Sequence, residues 1–545
     1  MPTVTIDERQ VTVDPGTSIL EAAKKLGIFI PHYCYHPRLT IVDACRMCLV
    51  EVKGAPKLVT SCSNAVADNM VVFTDTPKVE EARQSVLEFL LINHPLDCPI
   101  CDKSGECLLQ NYYFCHSRKP SRFKENKVKK HKVVDLGPKI VLDSERCIVC
   151  TRCVRFCKEV AGEEILGIFN RADHSEIGVF PGKKLENNYQ GNLADVCPVG
   201  ALTARDFRFK CRSWFLCQID TICPGCSNGC NAVVHFTLRN FNGLKGQRVF
   251  RLTPRENNDV NKVWLCDVGR WGYAFVDSID RLTMPAMRKG EDFVKTDWNT
   301  ALKETANRLK TLVERYGANA IGVIPSPHLT NEDLYALKCL FGCLLKIANI
   351  DFKVPGFDKG EDDKILLKAD RHPNTKGAEL LGLSGTGLSV EAMMDKVKAG
   401  EIKALYLAGS DPVKYMGEKA EEALSRAELV IFQGTNFNAS CKLAHIVLPG
   451  ATFVEKEGTF TNYQGRVQKV NKALEPLGEA MADWEIFTRL GQMLGVFPSY
   501  RSAEEVFMDI AREVAPFAGI TYKKIGSQGI KLTLPEGPVL SEAKE

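Results

Sequence analysis

The placement of cysteine constrains this chain more than any other feature. Nineteen of its 22 cysteines fall before residue 270 and three after it. The start, MPTVTIDERQVTVDPG, has no basic segment followed by an apolar run and no twin-arginine pair, so no secretory route is expected. No apolar run approaches membrane-spanning length. In a reducing compartment, close-set cysteines point to metal rather than to disulfides. The pattern therefore predicts a metal-rich front half joined to an ordinary back half. A length of 545 residues suggests several domains, and 45% apolar residues suffice for buried cores. The 71 basic and 67 acidic residues nearly balance, which gives no electrostatic reason to propose nucleic acid as a partner.

The front-half cysteines sort into four groups. The first is Cys34, Cys45, Cys48 and Cys62, in HYCYHPRLTIVDACRMCLVEV and LVTSCSN. A C-x2-C pair with one distant cysteine on each side resembles plant-type [2Fe–2S] ferredoxins, although the first gap is longer here. The surroundings predict a small β-grasp domain. TVTI and VTV alternate as a hairpin would, and Ser18 and Glu21 can form a capping box on a helix that Gly27 stops. The alternative is a zinc site, but zinc motifs usually pair two close doublets.

The second group lies in NHPLDCPICDKSGEC and supplies Cys98, Cys101 and Cys107. A helix is predicted to start at Thr76-Pro77 and to be stopped by Pro95, which leaves His94 at its end. A four-ligand site needs one more donor, and both His94 and Cys115 are candidates. The third group, RCIVCTRCVRFCKEV, has the bacterial ferredoxin run C-x2-C-x2-C-x3-C. Its downstream return, LADVCPVGAL, offers only Cys197. One [4Fe–4S] cluster on Cys147, Cys150, Cys153 and Cys197 follows, with Cys157 left as a buried, vestigial thiol. The fourth group, TICPGCSNGCNAVV closed by WLCDVGRWGY, gives Cys223, Cys226, Cys230 and Cys266. It suits a third [4Fe–4S] cluster, with a zinc ribbon as the alternative.

Order and spacing together resemble the NuoG-like large iron–sulfur subunit of the NADH:quinone oxidoreductase called complex I. The resemblance spans roughly residues 1 to 272, and H-x3-C-x2-C-x5-C is its most specific part. It implies that His94 is the fourth ligand beside Cys98, Cys101 and Cys107, and that Cys115 is incidental. It also implies one [2Fe–2S] and three [4Fe–4S] clusters. Electrons would enter from a flavin subunit that oxidises NADH and leave toward a ferredoxin-like two-cluster subunit. The Cys223–Cys266 cluster lies off the main line in such relatives. A peripheral place on the cytoplasmic face of the inner membrane follows.

The back half supports the same choice. AIGVIPS, ALYLAGSDPV, LVIFQGTNF and AHIVLPGATFVEKEGTFTNYQGRVQ read as buried strands ending in turns, and the last three resemble the molybdopterin oxidoreductase fold. Where molybdenum relatives carry a metal ligand, ANIDFKVPGFDKG has no Cys or Ser near Phe357, so no molybdopterin is expected. Cys339 and Cys343 read as two small core residues of an apolar helix, and Cys441 as structural. The basic run SRKPSRFKENKVKKHK, 117 to 132, reads either as a contact for an acidic partner or as a solvated linker.

The predicted architecture is multidomain α+β and α/β. It has a β-grasp [2Fe–2S] ferredoxin domain (1–78), a His-Cys [4Fe–4S] domain (79–120) and a [4Fe–4S] ferredoxin-like domain (121–215). A [4Fe–4S] domain of molybdenum/tungsten type (216–272) and a truncated molybdopterin-oxidoreductase-like scaffold (273–545) follow. No nucleotide fingerprint, hydrolytic triad or quinone site is found, so no catalytic residue is assigned within the chain. Two rivals are an iron-only hydrogenase, which needs more cysteines after residue 272, and a molybdenum or tungsten oxidoreductase such as formate dehydrogenase.

Overall fold

The structure is a computed structural model and describes residues 1–117, 120–239, 246–356, 360–385, 387–495 and 497–534. The chain forms two compact units, Met1–Leu216 and Cys217–Glu545.

The first unit opens with the predicted hairpin. Strands β1 (Thr3–Ile6) and β2 (Arg9–Thr12) pair antiparallel, with Thr3 opposite Thr12. Their two-residue turn places Asp7 and Glu8 at φ 43° and 68°, the left-handed region that a type I′ turn demands. Asp7 repays that strain by accepting hydrogen bonds from the Thr74 N–H and hydroxyl. With β3 (Leu49–Val52), β4 (Val59–Thr60) and β5 (Met70–Phe73) the sheet runs β2-β1-β5-β3-β4, and β1 and β5 are parallel. Helix α1 (Ile19–Lys25) buries Ile19, Leu20, Ala22 and Ala23 in the domain core. Its end is a Schellman motif, with Ile28 N–H to Ala23 O and Gly27 N–H to Lys24 O. Only half of the expected capping box forms. Ser18 accepts from the Glu21 N–H, while the Glu21 carboxylate accepts from the Tyr35 hydroxyl in the first cysteine loop.

Helix α2 (Pro77–Leu91) starts as predicted, with Thr76 as N-cap and Pro77 in the first turn. It ends at Leu91, so His94 lies just beyond it. Helix α3 (Leu108–His116) follows the second cysteine group. The next stretch has short elements: β6 (Val134–Asp135), β7 (Ile140–Leu142), α4 (Arg152–Glu159), β8 (Leu166–Phe169), β9 (Glu176–Val179), α5 (Asn192–Val196) and β10 (Leu202–Ala204). They form the sheets β10-β7-β6 and β8-β9. The basic run is tied down within the chain rather than left as a solvated linker. Lys127 donates to the Leu91 and Ile92 carbonyls at the end of α2, where the helix dipole favours a cation. Lys130 donates to Ser175 O, and Lys132 pairs with Asp97 and Glu145. Residues 118–119 of that run lie outside the described residues.

The second unit begins with an antiparallel meander, β11 (Cys217–Ile222), β12 (Asn231–Phe236) and β13 (Val249–Pro254), followed by helix α6 (Asp267–Trp271). Its main sheet joins a hairpin, β14 (Ala286–Lys289) and β15 (Asp292–Lys295), to β16 (Ile321–Pro325), β17 (Ala404–Ala408), β18 (Leu429–Gly434) and β19 (Ile446–Pro449). The order is β15-β14-β19-β18-β17-β16, and β16 to β19 are parallel. Every residue of these four strands is buried, as a sheet covered on both faces requires. One core packs α7 (Trp298–Tyr316) and α8 (Asn331–Leu337) on one face, and a second packs residues 390–397 and 420–424 on the other. Within AHIVLPGATFVEKEGTFTNYQGRVQ, a turn that ends with Gly465 at φ 76° separates two further strands. Gly458–Thr461 forms β20, which pairs with β21 (Arg466–Val470). The position near Phe357 where a molybdenum ligand was sought lies outside the described residues.

Candidate metal centres

The first ligand set sits where β3 and β4 meet the loop after α1. Cys34, Cys48 and Cys62 are buried and Cys45 is half-buried. A side-chain hydrogen bond within each of the pairs Cys34–Cys45 and Cys48–Cys62 lowers the pKa of Cys34 and of Cys48 and raises that of each partner. The Tyr33 N–H donates to Cys45 Sγ at 3.4 Å. Asp43, at φ 50°, locks the loop by accepting from Thr60, Ser63 and Arg46.

The second set rings a small space lined by His94, Cys98, Cys101 and Cys107, with Cys101 and Cys107 buried and Cys98 exposed. Burial, with Lys127 and Arg146 nearby, lowers the His94 pKa to about 4, so its imidazole is neutral at pH 7 and keeps a lone pair for a metal. Burial raises the Cys101 thiol and pushes Cys107 up to about 11. Cys115 is exposed on α3 and does not line this space. Gly200 permits the close approach here, since a Cβ on it would lie 2.1 Å from Cys101 Sγ. Arg146 also lines the space, and its charge is matched by Asp97 at 3.0 Å and Asp143 at 3.1 Å.

The third set rings a separate space lined by Cys147, Cys150, Cys153 and Cys197. Cys153 sits in the first turn of α4, and Cys197 caps the end of α5. The loop from Cys147 to Cys153 is strained: Val149 and Thr151, both β-branched, hold φ 50° and 62°. That bend turns the Val149 N–H onto Cys147 Sγ at 3.4 Å. Burial pushes Cys147 to about 12 and Cys150 to about 11. Cys157 is buried one turn further along α4 and is not on the ring, and burial beside Glu163 holds its thiol at about 12.

The fourth set belongs to the second unit. Cys223, Cys226, Cys230 and Cys266 are all buried, and burial raises each thiol, Cys266 to about 12. The loop closes through Cys223 N–H to Cys230 O at 2.8 Å. N–H groups reach the sulfurs here too: Asn228 Nδ2 to Cys230 at 3.0 Å, Gly225 N to Cys223 at 3.4 Å and Gly269 N to Cys266 at 3.4 Å. A Cβ on Gly269 would meet Cys223 Sγ at 2.4 Å. Gln468 on β21 holds the loop by donating to Gly229 O at 2.9 Å.

This donor chemistry fits iron–sulfur clusters. Buried thiols with raised pKa values lose their protons when a cationic metal replaces them, and N–H donors aimed at sulfur are among the groups that tune such clusters. Among the described residues no group of three or more His, Cys, Asp or Glu stands at the spacing one metal ion needs. Thiolates on a polynuclear cluster bind different irons across the cage, so they stand around a space rather than at a point. Sequence reasoning missed Gly200, Gly269, Arg146 and Asn228. All four stand inside the cysteine motifs, in RCIVC, CSNGC, CDVGR and CPVGA, but the motifs do not show that they reach the sulfurs or line the spaces. Outside the sets, Cys441 is buried as expected. Cys339 and Cys343 sit on a π-helical segment, Lys338–Leu344, with Cys339 half-buried and Cys343 exposed, so they are not two core residues.

Successive stretches match known domain families. Residues 1–77 match a 2Fe-2S iron-sulfur cluster binding domain, and 83–122 the NADH-ubiquinone oxidoreductase-G iron-sulfur binding region. Residues 137–203 match the ferredoxin-like domain of NADH-quinone oxidoreductase subunit 3, and 218–278 the molybdopterin oxidoreductase Fe4S4 domain. Residues 281–362 and 372–493 match molybdopterin oxidoreductase. The chain is 30% identical to the NADH-quinone oxidoreductase G subunit of Rickettsia felis, over 94% of this chain and 91% of that one. It is 29% identical to the NADH-ubiquinone oxidoreductase 75 kDa subunit of Reclinomonas americana, over 96% and 93%. Among solved structures, a chain of an NAD+-reducing [NiFe]-hydrogenase in the H2-reduced state is 31% identical, with TM-score 0.36, over 39% of this chain and 91% of that one.

Fold and sites together define a modular iron–sulfur electron-transfer protein, with cluster-binding domains ahead of a molybdopterin-oxidoreductase-type sheet. Within that class, the chain belongs to the family of the NADH-quinone oxidoreductase G subunit.

Proposed function

We propose that Cys34, Cys45, Cys48 and Cys62 hold a [2Fe–2S] cluster. Three [4Fe–4S] clusters are held by His94, Cys98, Cys101 and Cys107; by Cys147, Cys150, Cys153 and Cys197; and by Cys223, Cys226, Cys230 and Cys266. The chain is an electron-transfer subunit of NADH:quinone oxidoreductase, the oxidoreductase known as complex I. Its neighbours there would be the NADH-oxidising flavin subunit and a ferredoxin-like two-cluster subunit, at the cytoplasmic face of the inner membrane. No helix among the described residues is long and apolar enough to cross a membrane. The domain limits proposed are 1–78, 79–120, 121–215, 216–272 and 273–545, the last a scaffold without molybdopterin.

Bound clusters supply one-electron transfer. The protein's part is to hold and shield them. The observation that carries this reading is the pair of separate ligand-lined spaces in the first unit, one with His94 and three thiols, the other with four thiols and Cys157 left outside. Burial of most of the thiols shields the metal from water, with Cys98 the exposed exception, and backbone N–H groups donating to Cys45, Cys147, Cys223 and Cys266 favour the reduced state. The test is metal analysis of the anaerobically purified complex. About 14 iron atoms per chain are expected from the cluster types, with no stoichiometric molybdenum or tungsten. A full complement of either metal would convert the back half from scaffold to catalytic domain and overturn this reading.

A further inference from the structure

Two buried arginines on α4 lack the counter-charge that such residues need. Arg152 and Arg155 are each 7% exposed. Among the described residues, neither forms an ion pair, and their side-chain donors go to a hydroxyl and to backbone carbonyls. Most of those carbonyls belong to the ligand loops. Arg155 Nη2 donates to Cys34 O at 2.6 Å and to Cys150 O at 3.2 Å, so one guanidinium ties the first ligand loop to the third. Arg152 donates to Tyr35 O beside Cys34 and to Val196 O beside Cys197. It lines the ring of Cys147, Cys150, Cys153 and Cys197, and its Nε–H is buried with no hydrogen-bond partner. Arg146 at the second set is different, because Asp97 and Asp143 neutralise it.

An uncompensated buried cation is costly, and two on adjacent turns of one helix cost more. Thiolate-ligated clusters are anionic, and each gains a further negative charge on reduction. A cation or an N–H donor beside the cluster therefore favours the reduced form and raises the potential. We propose that Arg152 and Arg155 are the shared counter-charge of the first and third clusters, setting both potentials together, with Arg152 Nε–H donating to sulfur of the third. These are positioning and tuning residues. Each cluster exchanges one electron, and no bond or proton changes at either arginine. The inference rests on the ligand assignment above.

The test is an EPR-monitored redox titration, with iron analysis, of the complex carrying Arg152→Gln, Arg155→Gln, Arg152→Lys or Arg155→Lys. Each Gln variant should make both the first and the third cluster harder to reduce, by about tenfold or more in the reduction equilibrium, which is about 59 mV for one electron. The second and fourth clusters should hold their potentials, and the Lys variants should stay near the parent. Unmoved potentials in iron-loaded Gln variants would overturn the inference, as would a shift confined to one cluster. If a Gln variant fails to load, the Lys variants decide. Loaded clusters at parental potentials support the charge role, whereas a matching loss or a matching drop in potential overturns it. Absence of the two signals from the parent itself would remove the ligand assignment, a different failure.

Discussion

Residues 93–216 and residues 321–449 hold together by opposite means. The later stretch has four parallel strands with every residue buried and an apolar core on each face. The earlier one has strands of only two to four residues, and several charged side chains lie in its interior. Asp143, Glu145, Arg146, Arg152 and Arg155 are all buried there. Short strands and buried charges bury little apolar surface, so loop order must come from cross-links. In this stretch the proposed cross-links are the metal ligands. The contrast teaches that loss of iron should undo the first stretch and spare the second.

The largest expected effect comes from iron removal. Metal binding and folding are coupled where the ligands organise the loops. Anaerobic chelation should strip amide protection from residues 93–107 and 147–153 by hydrogen exchange, while β16 to β19 keep theirs. Equal loss of protection in both regions would show that the halves share one source of stability. Retention in both would show that the front loops stand on ion pairs such as Lys132–Asp97 and Arg146–Asp143.

How much of this was legible in the sequence follows the same division. The parallel strands were visible because apolar runs bounded by Gly and Pro turns map onto fully buried strands. The α2 start was visible because Thr76-Pro77 is a local signal whose cause is local. The proposed ligand sets could be read from the sequence because cluster chemistry dictates spacing. What escaped was set by contacts distant in sequence. Nothing around Glu21 announces that Tyr35 recruits its carboxylate. Lys132 reads as one more cation of a basic run until folding brings Asp97 and Glu145 to it. Arg152 and Arg155 lie inside the ferredoxin motif itself, yet their burial between two ligand loops depends on where residues 34–40 come to rest.

A second, smaller effect sharpens the comparison from the back half. Glu332 on α8 is fully buried, and desolvation raises its pKa to about 7 against donors that favour the carboxylate, the Thr459 N–H and hydroxyl and the Tyr522 hydroxyl. A carboxyl whose folded pKa exceeds its unfolded value binds more protons when folded. Its contribution to stability is then complete below about pH 4.5 and is lost as pH rises through about 7. The shift corresponds to roughly 3 kcal/mol. Denaturant unfolding of the second unit between those limits should show that slope, and Glu332→Gln should flatten it while leaving iron at the first three sites intact. A Gln variant with the parental slope would move the titration to another group.

The smallest effect discriminates within the front half, between His94 and Cys115. His94 lines the second space as a neutral imidazole, whereas Cys115 is exposed on α3 and lies off it. Replacing a neutral ligand with a thiolate adds negative charge to the cluster, and added negative charge disfavours reduction. The substitution His94→Cys should therefore keep a four-iron cluster but lower its potential, the reverse of the rise that His for Cys brings in Rieske centres. Cys115→Ser should leave the same signal where it is. Unlike iron removal, neither change should alter amide protection, because the site keeps its full ligand count. An EPR-monitored titration of both variants beside the parent reads the outcome. If Cys115→Ser abolishes the signal and His94→Cys leaves the potential in place, the thiol on α3 is the ligand. The loop after α2 would then have to rearrange on metal binding, and the front half would be more plastic than the convergence of His94 with the three thiols implies.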